Sequence, residues 1–388
     1  MNADWSSDAR RFWLLLVLGG TVTALGLGAA HFMEAHGHIV TGMDNSVVWG
    51  LPHVFAIFMI VTASGVLNIA SVGTVFGQSV YKARAPLSGL LSVALLAGGL
   101  MVLMLDLGRP ERVIVAATHY NFRSVFAWNV FLYSGLVAVV AIYLWTLLER
   151  RMNVWSKPAG MAALVWRFAL TTGTGSIFGF LVARQAYQSA LLAPLFIVLS
   201  FGWGLAVFLL VQAAMLAWNG RRLDADIERR LSRLLGVFVA TSLYLVAVYH
   251  GTNLYFARQS TFEAFILRDG GIFPLLFWAG YVVLGSVLPL VLLWRGTGPR
   301  AALGASALVC AGAFAFLYVF IIGGQAFPLE IFPGFEVHSS FGDGAIAHYG
   351  PRWPEWLLGL GGVGAAFVIT VVGVRVLDLL PRDPEPAQ

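Results

Sequence analysis

Apolar residues dominate ten long stretches of the chain, and short polar or basic segments separate them. Each stretch reaches the ~20 residues that a helix needs to cross a hydrocarbon core of ~30 Å. The pattern therefore predicts an all-α integral membrane protein with about ten transmembrane helices. The predicted spans lie at roughly 12–33, 51–77, 87–107, 124–147, 162–182, 194–218, 232–256, 272–294, 301–324 and 355–377.

The composition agrees with a lipid environment. Hydrophobic residues make up 59% of the chain and charged residues only 11%, whereas a soluble domain typically carries about 25% charged residues. So few charges could not cover a water-facing surface of ordinary size. The net charge of +5 comes from arginines at loop ends, so we expect no nucleic-acid partner. The first apolar run, 12–33, is long enough to persist as a membrane helix rather than a cleaved signal peptide.

Basic side chains distinguish the two faces of the predicted bundle. Ten spans put both termini on one side, which holds 16 Lys or Arg residues, against seven in the opposite loops. By the positive-inside rule we expect both termini to lie in the cytoplasm of a bacterial cytoplasmic membrane. The histidines then all lie at or beyond the periplasmic face: His31, His36, His38, His53, His119, His250, His338 and His348.

The longest periplasmic segment, 325–354, is rich in proline, glycine and aromatic residues. Such a composition favours a folded lid over the outer face rather than a slack tether. A loop that only covers helix ends is the simpler alternative, and the sequence leaves both open.

Asp106 is an ionisable residue at the outer end of the third span. Inserting such a group costs about 2.5–3.5 kcal/mol on insertion scales, so its presence needs a reason. One interpretation pairs Asp106 with Arg109 in a salt bridge that ends the helix. The other makes Asp106 a partly buried carboxylate that passes protons.

Two spans carry polar side chains at similar depth. On the second span, Ser64, Asn68 and Ser71 share a helical face with His53, and such a stripe points into a bundle rather than to lipid. Interhelical hydrogen bonds would explain the Ser and Asn residues equally well. On the seventh span a second patch contains Ser242, Tyr249, His250 and Asn253.

A bound metal or haem is not favoured by the residue spacing. His53 and His250 do not form a recognisable haem-ligand pair, and histidines in HFMEAHGH at 31–38 are more often solvated at a helix end than metal-bound. Cys310 is the single cysteine, which excludes an intramolecular disulfide and leaves an iron–sulfur cluster without ligands. We therefore expect no haem, cluster or metal on this chain.

A quinone headgroup suits the outer polar patches better. Its oxygens exchange protons with histidine, tyrosine or carboxylate side chains, and imidazole titrates near neutral pH. We predict that quinone or quinol, either menaquinone or ubiquinone, meets the chain near His53, with Asp106 continuing the proton path. Whether the two patches form one pocket or two separate networks is open at this point.

Three segments resemble the NrfD and polysulfide reductase family of membrane subunits. They are DLGRPER at 106–112 with THYNFRSVFAWNVF at 118–131, WGLPHVFAIFMIVTASGVLN at 49–68, and GGQAFPLEIFPG at 323–334. The resemblance is closest to the DsrP-type subunit of the transmembrane complex associated with dissimilatory sulfite reductase. It implies a single polytopic domain over 1–388, with four-helix bundles at 51–182 and 194–324 and flanking helices.

The resemblance also implies a function. The chain would be a quinone-interacting anchor of an oxidoreductase complex in dissimilatory sulfur metabolism, exchanging electrons with a periplasmic ferredoxin-like iron–sulfur subunit. Cytochrome and other membrane subunits would complete the complex, which could couple the reaction to proton movement. By position, His53, Asp106 and Arg109 are candidate catalytic residues. The candidate quinone-binding residues are His53, Asn68, His119, Asn129, Tyr249, His250 and Asn253.

Two other classes of protein deserve comparison. A secondary transporter would use broken helices and a midplane site, whereas these ionisable residues lie near one face. A membrane-embedded hydrolase or transferase would need a nucleophile–base set or a metal motif inside the spans, and the sequence contains neither HExxH nor CxxC.

Overall fold

The computed structural model describes residues 4–221, 224–296, 298–329, 335, 344–377 and 379. Across these residues the chain is helical and contains no strand. Ten long helices account for every predicted span. They are α1 Asp4–His36, α2 Leu51–Thr74, α3 Ala85–Leu105, α4 Val125–Leu148, α5 Ser156–Gly179, α6 Leu192–Trp218, α7 Ala225–Tyr255, α8 Ile272–Arg295, α9 Pro299–Ala326 and α10 Trp353–Leu377.

Among the described residues, nine of these helices are long and apolar enough to cross a membrane. The tenth is α5, which is more polar because it carries Lys157, Arg167 and a run of Thr, Gly and Ser at 171–176. It packs against α2, α4 and α6, and Arg167 is buried. The prediction of an all-α membrane protein with about ten helices is confirmed.

The packing arranges eight helices in two rings. In the first ring α2 contacts α3, α3 contacts α4, α4 contacts α5, and α5 returns to α2. In the second ring α6, α7, α8 and α9 contact one another in the same cyclic order. Helix α10 packs against α1, α2 and α3. These contacts support the predicted pair of bundles, whose residue bounds stay a prediction.

Glycines mark the places where helices approach most closely. At the junction of the two rings, a Cβ on Gly65 of α2 would overlap the carbonyl oxygen of Ser200 in α6, and one on Gly204 would overlap the backbone of Gly65. Gly26 and Gly361 meet in the same way between α1 and α10. Small residues permit such close contact between helices in membranes, where apolar burial alone gives no drive to associate.

Local chemistry sets several helix ends. Helix α7 begins seven residues before the predicted span, because the carboxylate of Asp224 accepts hydrogen bonds from the first backbone N–H groups. Helices α8 and α9 contain wider turns with i→i+5 hydrogen bonding over Leu276–Val287 and Tyr318–Gly323. Apolar periodicity does not reveal such turns.

The outer segment 325–354 is described only in part. Residues 330–334 and 336–343, which include His338, lie outside the described residues. The described part returns to the bundle, since the backbone N–H of Ala347 donates to the carbonyl of Ala326 at 2.9 Å.

Candidate functional site

Two ionisable side chains meet where α2 begins and α3 ends. His53 is the third residue of α2, and Asp106 directly follows the last residue of α3. The Nδ1 atom of His53 lies 2.8 Å from Oδ2 of Asp106. The Asp106 side chain is fully buried, and that of His53 is 12% exposed. At this distance, an imidazole and a carboxylate can exchange a proton.

The hydrogen-bonding capacity of this pair is not used up. Although the two atoms approach to 2.8 Å, the contact is not aligned as a hydrogen bond. Neither oxygen of the Asp106 carboxylate, nor Nδ1 of His53, has such a partner among the described residues. Buried polar groups are nearly always satisfied by protein, water or ligand. The pair is therefore a place where a polar group from outside the chain would fit.

His38 lies on the other side of the same carboxylate. Its Nε2 atom is 3.1 Å from the backbone carbonyl oxygen of Asp106 and 3.9 Å from Oδ1. The His38 side chain is 33% exposed. We call His38, His53 and Asp106 the first cluster.

An aromatic wall bounds the first cluster on the side of α5. The indole of Trp49 stacks on the imidazole of His53 with ring centroids 5.9 Å apart, and it meets the ring of Phe178 edge-on at 5.7 Å. A flat aromatic wall beside buried polar atoms is suited to a planar, partly polar ring.

The end of α9 holds Trp49 in position. The side-chain oxygen of Gln325 accepts hydrogen bonds from the backbone N–H groups of Val48 and Trp49, and its amide nitrogen donates to the Trp49 carbonyl. Arg184 donates in turn to the carbonyls of Gln325 and Ser46. Burial lowers the pKa of the Arg184 guanidinium. The wall beside His53 therefore depends on both rings of helices.

The first turn of α10 holds the start of α2. The fully buried carboxylate of Glu355 accepts hydrogen bonds from the N–H groups of Gly42 and Arg352, each at 2.8 Å, and from the hydroxyl of Tyr349. That hydroxyl accepts the N–H of Leu51 at 2.6 Å. Burial and the hydrogen bond to Glu355 raise the pKa of Tyr349. His53 thus begins its helix on a braced loop.

A second carboxylate–imidazole pair lies near the end of α7 in the second ring. Oε2 of Glu263 is 2.7 Å from Nδ1 of His250, and Oε1 accepts a hydrogen bond from Nδ2 of Asn253 at 2.8 Å. Glu263 is fully buried and Asn253 is 2% exposed. We call His250, Asn253 and Glu263 the second cluster. Unlike Asp106, Glu263 has a hydrogen-bond partner on each oxygen.

Comparison with known proteins identifies the family of the chain. The family model described as "Polysulphide reductase, NrfD" matches residues 39–329, a range that contains both rings of helices. The chain belongs to the NrfD polysulphide reductase family. The predicted family resemblance is confirmed, while its DsrP-type branch stays a prediction.

Similar proteins include integral membrane subunits from an archaeon and a bacterium. This NrfD chain is 29% identical over 381 residues to the Hdr-like menaquinol oxidoreductase integral membrane subunit of Archaeoglobus fulgidus, covering 97% of this chain and 95% of that protein. It is 24% identical over 392 residues to the menaquinone reductase integral membrane subunit of Nitratidesulfovibrio vulgaris, covering 93% and 90%. It is also 24% identical over 312 residues to protein NrfD of Escherichia coli, covering 72% and 96%.

Within this NrfD fold, Asp106 contacts histidines rather than Arg109, its partner in one interpretation of the sequence. The ion-pair contacts of Asp106 run to His53 and His38, not to Arg109. Arg109 is exposed and lies at the start of the short helix Pro110–Arg112. The fixed backbone of that turn, with Gly108 at φ +69°, carries the arginine side chain outward. The interpretation that pairs Asp106 with Arg109 in a salt bridge is therefore wrong, and a catalytic role for Arg109 stays a prediction.

The other predicted site residues are dispersed. His119 is exposed and contacts the hydroxyl of Thr118. Asn129 is buried and donates to the carbonyls of Val125 and Gly173, which joins α4 to α5. Asn68 is buried on α2, and its amide nitrogen has no partner among the described residues. Among the described residues, none of the hydrogen bonds of these three side chains reaches the first cluster.

The predicted second patch forms around a residue that sequence reasoning missed. His250 and Asn253 converge on Glu263, while the hydroxyl of Tyr249 donates to the Ala186 carbonyl instead. His53 and His250 thus face separate carboxylates in separate rings. Within the described ranges, no three His, Cys, Asp or Glu side chains gather as metal ligands.

Sequence reasoning missed three buried polar residues in all, namely Glu263, Gln325 and Glu355. Gln325 and Glu355 lie at the ends of spans, and Glu263 lies between two spans. Their one sequence signal was a polar side chain close to an apolar run. Several of their partners are far away along the chain, as with the contacts from Glu355 to Gly42 and from Gln325 to Trp49, so spacing could not show these contacts.

Proposed function

We propose that this NrfD-family chain is the quinone-reactive membrane subunit of an oxidoreductase complex, and that the quinone headgroup binds at the first cluster. The observation that carries the proposal is the unsatisfied buried pair of His53 and Asp106 beside the wall of Trp49. A quinol has two hydroxyl groups that such acceptors can bind, and a quinone has two carbonyl oxygens that a protonated imidazole can bind.

The reaction proposed for this site balances in electrons and protons. Oxidation of a quinol releases two electrons and two protons, and reduction of a quinone takes up the same number. The electrons pass to or from a redox subunit of the complex. His53 and Asp106 give or accept the protons, because Nδ1 of His53 and Oδ2 of Asp106 are 2.8 Å apart and both groups could reach one ring substituent.

The substrate class is a menaquinone. Two relatives have names that specify menaquinol or menaquinone, and both align with this chain over nearly its whole length. The residues themselves would also accept ubiquinone, because the aromatic wall does not discriminate between the single ring of ubiquinone and the two fused rings of menaquinone.

The second cluster has a different role in this proposal. Glu263 is already hydrogen-bonded on both oxygens, so little capacity remains there for a headgroup. The aromatic rings of Phe262, Phe277 and Phe320 close around His250 and Tyr249. We therefore assign His250 and Asn253 to positioning Glu263, in place of the quinone contact expected from the sequence.

The electron partner in this proposal is a ferredoxin-like iron–sulfur subunit on the periplasmic side. Its support is the single cysteine, Cys310, together with the membrane-subunit names of two relatives. The arginine distribution supports cytoplasmic termini in a bacterial cytoplasmic membrane, with both clusters facing the periplasm. Cytochrome subunits, a role in sulfur metabolism and coupling to proton movement belong to the same proposal and rest on the family resemblance.

The test is quinol-dependent electron transfer in the intact complex with His53→Ala and Asp106→Asn variants. Both variants should lose most of the rate, on the order of a hundredfold or more for loss of a proton-exchanging group. A rise in the Kd of a menaquinone analogue should accompany the loss. The measurement requires purified variant complexes that contain every subunit of the parental complex.

Matched controls come from the same face of the protein. Glu111→Gln and His348→Ala remove an exposed carboxylate and an exposed imidazole without touching the first cluster. These variants should keep the parental rate. Full activity with unchanged quinone affinity in both His53→Ala and Asp106→Asn would refute the site assignment. Quinone-independent substrate uptake by the protein in liposomes would favour a transporter instead.

A further inference from the structure

A groove between α1 and the end of α3 lies next to the first cluster. Its cavity volume is about 180 Å³. His31 and Glu34 line it from α1, Gly108 and Pro110 line it from the turn after α3, and His38 lies between the two sides. Helix α1 and residues 31–38 precede the range matched by the family model, 39–329. The groove is thus built partly from residues outside the range that the family model matches.

His38 connects this groove with the buried carboxylate. Its Nε2 edge faces Asp106, at 3.1 Å from the carbonyl oxygen and 3.9 Å from Oδ1. Its Cε1 and Nδ1 atoms lie against Gly108, where a Cβ would come within 3.0 Å of Cε1 and 3.3 Å of Nδ1. A glycine at this position leaves space for the ring. One nitrogen of the imidazole therefore lies beside Asp106, and the other lies beside the turn after α3 that lines the groove.

This is the arrangement that proton transfer through an imidazole requires. A neutral imidazole can take a proton on one nitrogen and release another from the second nitrogen. The 3.9 Å separation from Oδ1 is too long for a direct hydrogen bond, and one bridging water or a small ring rotation closes it. A groove of about 180 Å³ has room for several water molecules, at ~30 Å³ of liquid volume each.

We infer that His38 is the proton relay between Asp106 and the outer aqueous phase, with Glu34 and His31 receiving the proton in the groove. The inference rests on the proposed quinone reaction and names the path of its protons. For each quinol oxidised, two electrons leave to the redox partner subunit. The protons pass from the quinol hydroxyls to His53 and Asp106, and from there through His38 to groove water. Quinone reduction runs the same path in reverse.

The experiment uses the intact complex with His38→Ala and His38→Gln variants. The substrate is 2,3-dimethyl-1,4-naphthoquinol, and its oxidation by the pre-oxidised complex is followed by absorbance. Both variants should slow electron transfer, by about a hundredfold for loss of a proton carrier, while the Kd of the naphthoquinone stays at the parental value. The glutamine can still donate to the Asp106 carbonyl but cannot relay a proton, so it separates transfer from folding.

Added imidazole supplies the readout that a structural role would not change. In the His38→Ala variant, imidazole at millimolar concentration should enter the groove and restore the rate several-fold, with a solvent deuterium effect on the restored rate. His36→Ala is the matched control, because His36 is exposed on the same segment and, in the described part of the chain, its polar and ring contacts are to Phe32. It should keep the parental rate and show no response to imidazole.

Each outcome decides between the two proposals. Parental rates in both His38 variants, or slow rates that imidazole does not raise, would overturn the relay while leaving the quinone site intact. Parental rates in His53→Ala and Asp106→Asn would overturn the quinone site itself. Slow transfer in all four variants, with imidazole rescue restricted to His38→Ala, supports both.

Discussion

Asp106 and Glu263 are both fully buried carboxylates beside an imidazole, yet they differ in how their oxygens are satisfied. Glu263 accepts from Asn253 and lies against His250, whereas Asp106 has no aligned donor on either oxygen among the described residues. A satisfied buried carboxylate stabilises the structure around it, while an unsatisfied one is costly unless something else binds. This difference supports the binding role proposed for the first cluster and the bracing role proposed for the second.

A Glu263→Ala variant tests the bracing role. Removal of the carboxylate leaves the Asn253 amide and the His250 imidazole without their buried partner, at a cost of about 1–3 kcal/mol for each group. We expect a lower unfolding temperature in detergent, and no change in the Kd of a menaquinone analogue. A weaker quinone affinity at unchanged stability would instead place the quinone at the second cluster. Asp269→Ala, an exposed carboxylate outside the cluster, is the control.

Sequence reasoning located His53 and Asp106 because an ionisable residue beside an apolar span is rare enough to stand out. It could not pair them, since the contact joins positions far apart in the chain and depends on how α2 and α3 pack. One of its two interpretations paired Asp106 with Arg109, because Arg109 is near in sequence. The positive φ of Gly108, which decides where the following arginine goes, is a backbone property that the neighbouring residue types only hint at.

At the level of helices, apolar length was sufficient to locate all ten spans, with ends shifted by capping groups such as Asp224. The lengths of the apolar stretches could not predict which helices pack against each other. The contacts between helices depend on the shapes of their surfaces. A glycine allows a close crossing where it meets a small residue on the other helix, as Gly65 and Gly204 do. The wider turns in α8 and α9 also carry no period in the apolar pattern.

The crossing of α2 and α6 can be tested with Gly65→Ala. The new methyl group would overlap the Ser200 carbonyl, and overpacking of this kind costs about 1–3 kcal/mol. Because Gly65 lies at the junction of the rings, we expect a lower unfolding temperature and less assembled complex. Gly28→Ala on α1 is the matched control, since nothing lies within 4 Å of its added Cβ. Equal stability in both variants would contradict the close crossing.

For the whole molecule, the two rings are similar in the arrangement of their helices, and the proposal gives them different roles. Each has a buried carboxylate–imidazole pair at the same end. A chain of ring contacts connects the pairs through Trp49, Phe178, Phe320 and Tyr249. The wall beside His53 is held by Gln325 from the second ring. The first cluster therefore needs both rings assembled.

The orientation of the whole molecule is testable with an impermeant maleimide. In a Cys310→Ser background, Glu111→Cys should react in intact cells, because position 111 is exposed in a predicted periplasmic loop. Asn219→Cys, exposed at the end of α6, should react only after the membrane is permeabilised. The reverse pattern would invert the topology and place both clusters in contact with the cytoplasm.

The burial of α2 has a consequence for biosynthesis. Synthesis delivers α2 to the membrane as the second of ten helices, yet the neighbour that covers Gly65 is α6, and Arg167 on α5 faces Ser64. Until those helices are made, the polar and small face of α2 meets lipid or the insertion machinery. During that interval, the apolar residues of α2 must keep this helix in the bilayer. The site at His53 is thus begun early in translation and closed only when the ninth helix brings Gln325.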